Sequence, residues 1–194
     1  KGGIEKLVKE LSNNLNNNGI KNDILCLGKN MKSKIIVKNN QTLFICRTLF
    51  SIGSIPISLS IFHYLRKIIN NYDIIHIHLP NPIIALYIRL LKIKEKKITV
   101  HFHADVSYKF GYFIYGYFES FLLGIASKIV VTTNSLSKVK TLKKHKNKIF
   151  VIPSYLNEND YFFADENLIK QSIKDLANKE YICFVGRLAK YKNL

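Results

Sequence analysis

Tryptophan is absent, methionine occurs once and cysteine three times. Cys26, Cys46 and Cys183 are widely spaced, odd in number and form no C-x-x-C pair. That argues against a disulfide framework or a structural zinc site and fits a reducing compartment. Four prolines and nine glycines are too few for a collagen-like or low-complexity chain. Acidic residues are also scarce: Asp and Glu total 13 against 30 Lys and Arg, a formal charge of +17. No apolar run reaches the roughly 18 residues that a membrane-spanning helix needs.

What remains is a chain of 194 residues, 47% hydrophobic and 22% charged. This is one ordinary domain, or a domain and a piece of another. The excess of cations suggests an anionic partner: a membrane surface, a nucleic acid or a phosphorylated substrate. The nucleic-acid option rests on charge alone, since neither an RNP-like aromatic signature nor a zinc finger accompanies it. The opening Lys1-Gly2-Gly3 is neither an initiator Met nor an apolar leader. A fragment of a longer protein is expected.

Apolar residues at Ile4, Leu7, Val8, Leu11 and Leu15 predict an amphipathic helix that ends near Asn16–Gly19, with Gly19 free to take a left-handed conformation. Short strands are expected at 24–27, 35–37 and 42–45. A helix is expected over 56–70 with Pro56 in its first turn, and others over 82–93 and 112–125. Ser135 is expected to cap a basic helix reaching about Lys144. Ile74–Ile77, Ile98–Val100, Ile129–Val131 and Ile149–Ile152 are continuous apolar runs separated by helical segments or loops. That pattern predicts a doubly wound parallel sheet covered on both faces. Domain boundaries are expected after Pro153: residues 1–153 as a Rossmann-like domain, 154–178 as a linker with a short helix, and 179–194 as the first strand and loop of an incomplete second domain.

Four constellations bear on chemistry. Gly2-Gly3 at a helix start permits close approach of an anion, or is a plain tight turn. His76-x-His78 and His101-x-His103, the latter followed by Asp105, put pairs of imidazoles on one strand face each, at the edge where open α/β sheets bind ligands. A metal site from His101, His103 and Asp105 is one reading. The alternative makes His76 a buried core histidine and leaves His103 for proton transfer or hydrogen bonding to a sugar hydroxyl. Gly186-Arg187 with Lys192, directly after the apolar strand 181–185, offers two cations for a diphosphate, or is a basic loop in a basic protein. The aromatic segment 109–123 covers a sheet, or touches a membrane through a partly exposed apolar face.

In order along the chain these residues resemble glycosyltransferase family 4, retaining enzymes of the GT-B fold. Lys1-Gly-Gly-Ile-Glu5 is similar to that family's glycine loop and first helix. Asp73-Ile-Ile-His-Ile-His-Leu-Pro-Asn-Pro82 is similar to its D-x-x-H-x-H-x-P-x-P strand and turn, and Thr99-Val-His-Phe-His-Ala-Asp105 to its strand ending in His-Ser-Asp. Ala126-Ser-Lys-Ile-Val-Val-Thr-Thr133, Lys148-Ile-Phe-Val-Ile-Pro153 and Phe184-Val-Gly-Arg-Leu188 with Lys192 complete the series. The departures are a strand absent before Lys1, Ala104 for the commoner Ser, Ser154-Tyr155-Leu156-Asn157 at the hinge, and Asn193 for Gly. The family's E-x7-E carboxylates would lie past Leu194.

The resemblance implies two Rossmann-like domains facing a cleft and transfer of a sugar from a UDP- or GDP-linked donor to a lipid-linked or glycan acceptor. Gly2 and Gly3 would approach the donor diphosphate from the acceptor side, and Arg187 and Lys192 from the donor side. His103 would stand beside the transferring sugar as the catalytic residue, and Asp105 would help place sugar or acceptor. It implies no metal or other cofactor and no nucleic-acid partner. It also implies a cytoplasmic protein at the inner face of the plasma membrane, in peripheral contact with anionic lipid. The competing expectation is a metal-dependent hydrolase or deacetylase built on the H-x-H-x-D cluster. Since the donor side is incomplete, the 194-residue chain is expected to transfer little or no sugar by itself.

Overall fold

The computed structural model describes residues 3–28, 32–38, 40–52, 55–93, 96–106 and 112–154. Helix α1 spans Gly3–Asn17 and stops where Gly19 turns to a φ of +75°, a backbone region that glycine enters without steric cost. Strands β1 (Ile24–Gly28), β2 (Lys34–Lys38) and β3 (Gln41–Arg47) follow. They form a sheet in the order β1-β3-β2, with β1 parallel and β2 antiparallel to β3.

Next comes a small hairpin of β4 (Phe50–Ile52) and β5 (Ile55–Ile57). Pro56 therefore lies in a strand, opposite Ser51, and not in the first turn of a helix. The helix begins later: α2 covers Leu59–Ile68, and the Ser58 hydroxyl accepts from the amide of Ile61 as its cap. A serine just ahead of an apolar run was the better start signal, because its oxygen satisfies an amide that has no helical partner.

The main sheet holds β6 (Ile74–Leu79), β7 (Lys97–Phe102), β8 (Lys128–Val131) and β9 (Ile149–Val151) in that order, every pair parallel. Helix α3 (Pro82–Leu90) joins β6 to the next strand, with Asn81 as its cap and Pro82 in the first turn. Helix α4 (Tyr112–Ile125) precedes β8. The predicted parallel α/β sheet is thus present, with its strands within one or two residues of the expected runs. After β8 the expectation of one long basic helix fails. Thr133, not Ser135, is the cap, helix α5 covers only Asn134–Ser137, and 3₁₀ turns run from Lys140 to Lys148. Of that basic stretch only Leu142 is buried, so little apolar surface rewards a continuous helix.

One core unites these elements. Ile98, Val100, Phe102, Ile129 and Val131 of the central strands are buried, with Leu122 and Leu123 of α4 and Ala85 and Ile88 of α3 packed into the same cluster. Helix α4 packs on β7 and on α3, which bears out its sheet-covering role. Tyr117 on the same helix is exposed and carries the Arg89 guanidinium over its ring at 5.3 Å. No described helix is long and apolar enough to cross a membrane. Residues 155–194, including the expected linker and second domain, lie outside the described residues.

The two faces of α4 should respond differently to truncation. Leu122→Ala removes a side chain with 0% exposure and should cost about 3 kcal/mol. Tyr117→Ala should cost only about 0.5–1 kcal/mol, the worth of an exposed cation–π contact. Urea denaturation of the two variants measures both, and equal losses would show that α4 does not cover the sheet as described.

Candidate functional site

Parallel pairing in register decides where the histidines go. His78 lies opposite His101 and Leu79 opposite Phe102, so the odd alternation of both strands puts His76, His78 and His101 on one sheet face. His103 follows one residue beyond β7, and its amide donates to the carbonyl of Leu79 at 3.3 Å, which carries the pairing past the strand end. All four rings meet there. His76 and His78 stack with centroids 4.7 Å apart, His101 and His103 at 4.1 Å, and His78 and His103 at 5.2 Å. His78 Nδ1 and His103 Nε2 are 2.9 Å apart and share a hydrogen bond.

Neither nitrogen of His101 has a partner among the described residues, although the residue is only 6% exposed. The expected assignment of His76 as the buried core histidine is therefore reversed. His76 is exposed, while His101 is buried. The reason is the edge position of β6, whose outer side has no strand neighbour among the described residues, whereas β7 is held between β6 and β8.

The rings are held neutral. Desolvation lowers the pKa of all four, and their neighbours' charge adds to it in three. His78 is pushed down to about 3 by burial, reinforced by His76, His103 and His101. His101 falls to about 4 by burial, with His103 and His76 contributing. His103, half-buried at the edge, is lowered by burial and then by His76.

A cavity of about 740 Å³ lies beside this cluster. It is lined by α1 from Gly3 to Lys9, by β1, by part of α2, and by β6 including His76 and His78. Gly3 opens α1 here, and a Cβ added to it would meet nothing within 4 Å. Gly3 thus lines the same cavity as His76 and His78. Gly2 lies outside the described residues, as do Arg187 and Lys192. Asp105 is half-buried, two residues past His103, and engaged in an interaction of its own.

Two features escaped the sequence reading. Asp23, just before β1, accepts hydrogen bonds from the Tyr72 hydroxyl, just before β6, and from the Thr42 amide of β3, and Asp23 and Tyr72 both line the cavity. Burial and that carboxylate raise the Tyr72 pKa well above the ordinary phenol value. An isolated Asp before a strand carries no pattern that would reveal this. Glu119, 1% exposed within the aromatic helix α4, is the lone acid in an apolar run, and that isolation is the signal the sequence carries for it.

Imidazoles at the carboxyl edge of a parallel sheet, beside a cavity entered by a helix N-terminus, define the ligand-binding edge of an open α/β protein. The profile of Glycosyltransferase Family 4 matches residues 1–158. The chain belongs to that family. It is similar to the O-antigen chain mannosyltransferase C of Escherichia coli, 26% identical over the whole chain and 52% of that protein. It is also similar to the D-rhamnosyltransferase WbpZ of Pseudomonas aeruginosa, 24% identical over the whole chain and 51% of that protein. The chain thus spans about half the length of the curated relatives it matches.

These findings give the hydrolase expectation no support. Nor do His101, His103 and Asp105 form the convergent group it required, since the histidines whose ligand atoms approach within 4.8 Å of one another are His76, His78 and His101. Asp105 is not part of that convergent group.

The neutral cluster makes stability depend on pH. An imidazole whose folded pKa is below its unfolded value near 6.5 binds more protons in the unfolded chain, so acid favours unfolding. Stability should be full above about pH 6.5 and decline as pH falls toward about 4 and 3, the values of His101 and His78. The urea midpoint should drop between pH 7 and pH 5, and the drop should be smaller in His78→Gln. Parallel declines in the two proteins would locate the effect elsewhere.

Proposed function

We propose that the protein is a retaining glycosyltransferase that moves a sugar from a nucleotide-linked donor to a growing cell-surface polysaccharide or glycolipid. The observation that carries this is the family match over the domain whose sheet edge holds His103 against His78, a residue that lines the α1 cavity. The relatives named for mannosyl and rhamnosyl transfer, one of them to O-antigen, favour a polysaccharide acceptor and a deoxyhexose or hexose donor. Residues 1–153 form the acceptor side and 179–194 begin the donor side, with 154–178 between them.

His103 is the residue placed to meet the transferring sugar. Its Nε2 is engaged by His78, which leaves Nδ1 for a sugar hydroxyl. Burial keeps the ring neutral, so it acts through a hydrogen bond and not as a cation. Asp105 helps place the sugar or acceptor. The negative charge that develops on the departing diphosphate is met by Gly2 and Gly3 at the start of α1 and by Arg187 and Lys192, so the clamp itself requires no divalent metal. In this reading a transferase that takes nucleotide-linked sugars acts in the cytoplasm at the inner membrane face, and a charge of +17 favours contact with anionic lipid there. The 194-residue chain by itself has little or no transfer activity, because its share of the donor side is incomplete.

In the full-length enzyme, Arg187→Ala should weaken affinity for the nucleotide-sugar by roughly 10-fold or more, the loss of a charge-assisted hydrogen bond. His103→Ala should lower kcat about 100-fold with little change in donor binding. Isothermal titration and radiolabelled sugar transfer read the two effects. Unchanged donor affinity in the first variant, or unchanged turnover in the second, would overturn the assigned role.

A further inference from the structure

The geometry points to a transition-metal site at the histidine cluster, formed by His76, His78 and His101 with His103 beside it. Such a site is separate from the diphosphate clamp and does not depend on the transferase reading. Two independent observations lead to it. The first is convergence: one nitrogen from each of His76, His78 and His101 lies within 4.8 Å of the other two. Nitrogens bound to one tetrahedral ion at about 2.0–2.1 Å stand roughly 3.4 Å apart. Modest rotation of the side chains closes that gap. His76 is exposed to the cavity and His78 also lines it, which gives an ion a path in.

The second observation is an unmet requirement. His101 is 94% buried by its 6% exposure, and neither ring nitrogen has a hydrogen-bond partner among the described residues. A buried polar atom without a partner costs about 1–3 kcal/mol, and native structures rarely tolerate two on one side chain. The same rings stack face to face with their neighbours, His101 on His103 at 4.1 Å. An arrangement of neutral imidazoles with unshared nitrogen lone pairs is poor as a hydrogen-bonded core and well suited to a cation. Desolvation keeps the rings deprotonated near neutral pH, the state in which imidazole ligates.

The donor set selects the ion. Three neutral imidazoles without carboxylate or thiolate suit borderline divalent ions such as zinc, nickel, copper or cobalt, and do not suit magnesium or calcium, which require oxygen ligands. His103 completes the site in one of two ways: as a fourth ligand, or as the outer partner that orients His78 through the 2.9 Å contact. Either way a bound ion would stand at the edge where the sugar is handled and would withdraw His103 or its partner from that task. In the full-length enzyme the consequence, which alone rests on the transferase reading, is inhibition of transfer by micromolar zinc that a chelator reverses.

Cobalt supplies the test, because its visible absorption reports coordination directly. Titration of the purified protein with CoCl₂ should give the intense visible bands of tetrahedral cobalt with an end point of one ion per chain, removed by excess ZnCl₂ and unaffected by MgCl₂. His76→Gln, whose exposed ring can be lost without a cavity, should weaken cobalt binding roughly 10-fold or more, as should His101→Gln if circular dichroism shows it folded. His145→Gln, outside the cluster, should bind as the parent does. Weak octahedral absorption only, or bands that persist unchanged in His76→Gln, would overturn the assignment.

Discussion

The in-register parallel pairing of β6 with β7 governs most of what this molecule can do. Because His78 faces His101 across a single rung, two H-x-H pairs that are remote in sequence become one cluster of four rings. A shift of one residue would send one pair to the opposite face of the sheet. The apolar residues that alternate with the histidines, Ile77, Val100 and Phe102, are buried on the opposite face, and a one-residue slip would expose them. The chemistry at the edge is therefore a consequence of packing beneath it.

Electrostatics at that edge run against the character of the chain. The protein carries +17, yet the four imidazoles stay neutral because burial and mutual proximity oppose protonation. A cationic cluster would be ringed by its own solvation shell and would repel other cations, whereas neutral imidazoles hydrogen-bond uncharged polar groups.

Much of the sheet was legible in the residues. The continuous apolar runs at 74–77, 98–100, 129–131 and 149–151 all appear as strands; Ile98, Val100, Ile129 and Val131 of the central pair are buried, whereas Ile74, Phe150 and Val151 of the outer strands are exposed. The order of motifs was enough to find the family. Where the reading failed, local signals competed. Pro56 carries a helix-start signal of its own, yet it pairs in a strand and the Ser58 hydroxyl caps the helix. The basic stretch 134–148 has helix-forming lysines, but Leu142 is its only buried residue, so local propensity had no packing to act with. The burial of His101 and exposure of His76 depended on which strand stands at the sheet edge, and strand order is not written in the periodicity of either strand.

One feature of the fold extends beyond the site. β1 and β6 are the terminal strands of their sheets among the described residues, and both border the same cavity. Each thus offers a row of main-chain amides and carbonyls without a ladder partner, a template for any extended peptide. Between copies of a chain with +17 charge, long-range repulsion guards these templates, and dissolved salt removes that guard within a few ångströms of the surface. The electrostatic barrier between two such edges therefore shrinks as ionic strength rises, because the Debye length shortens.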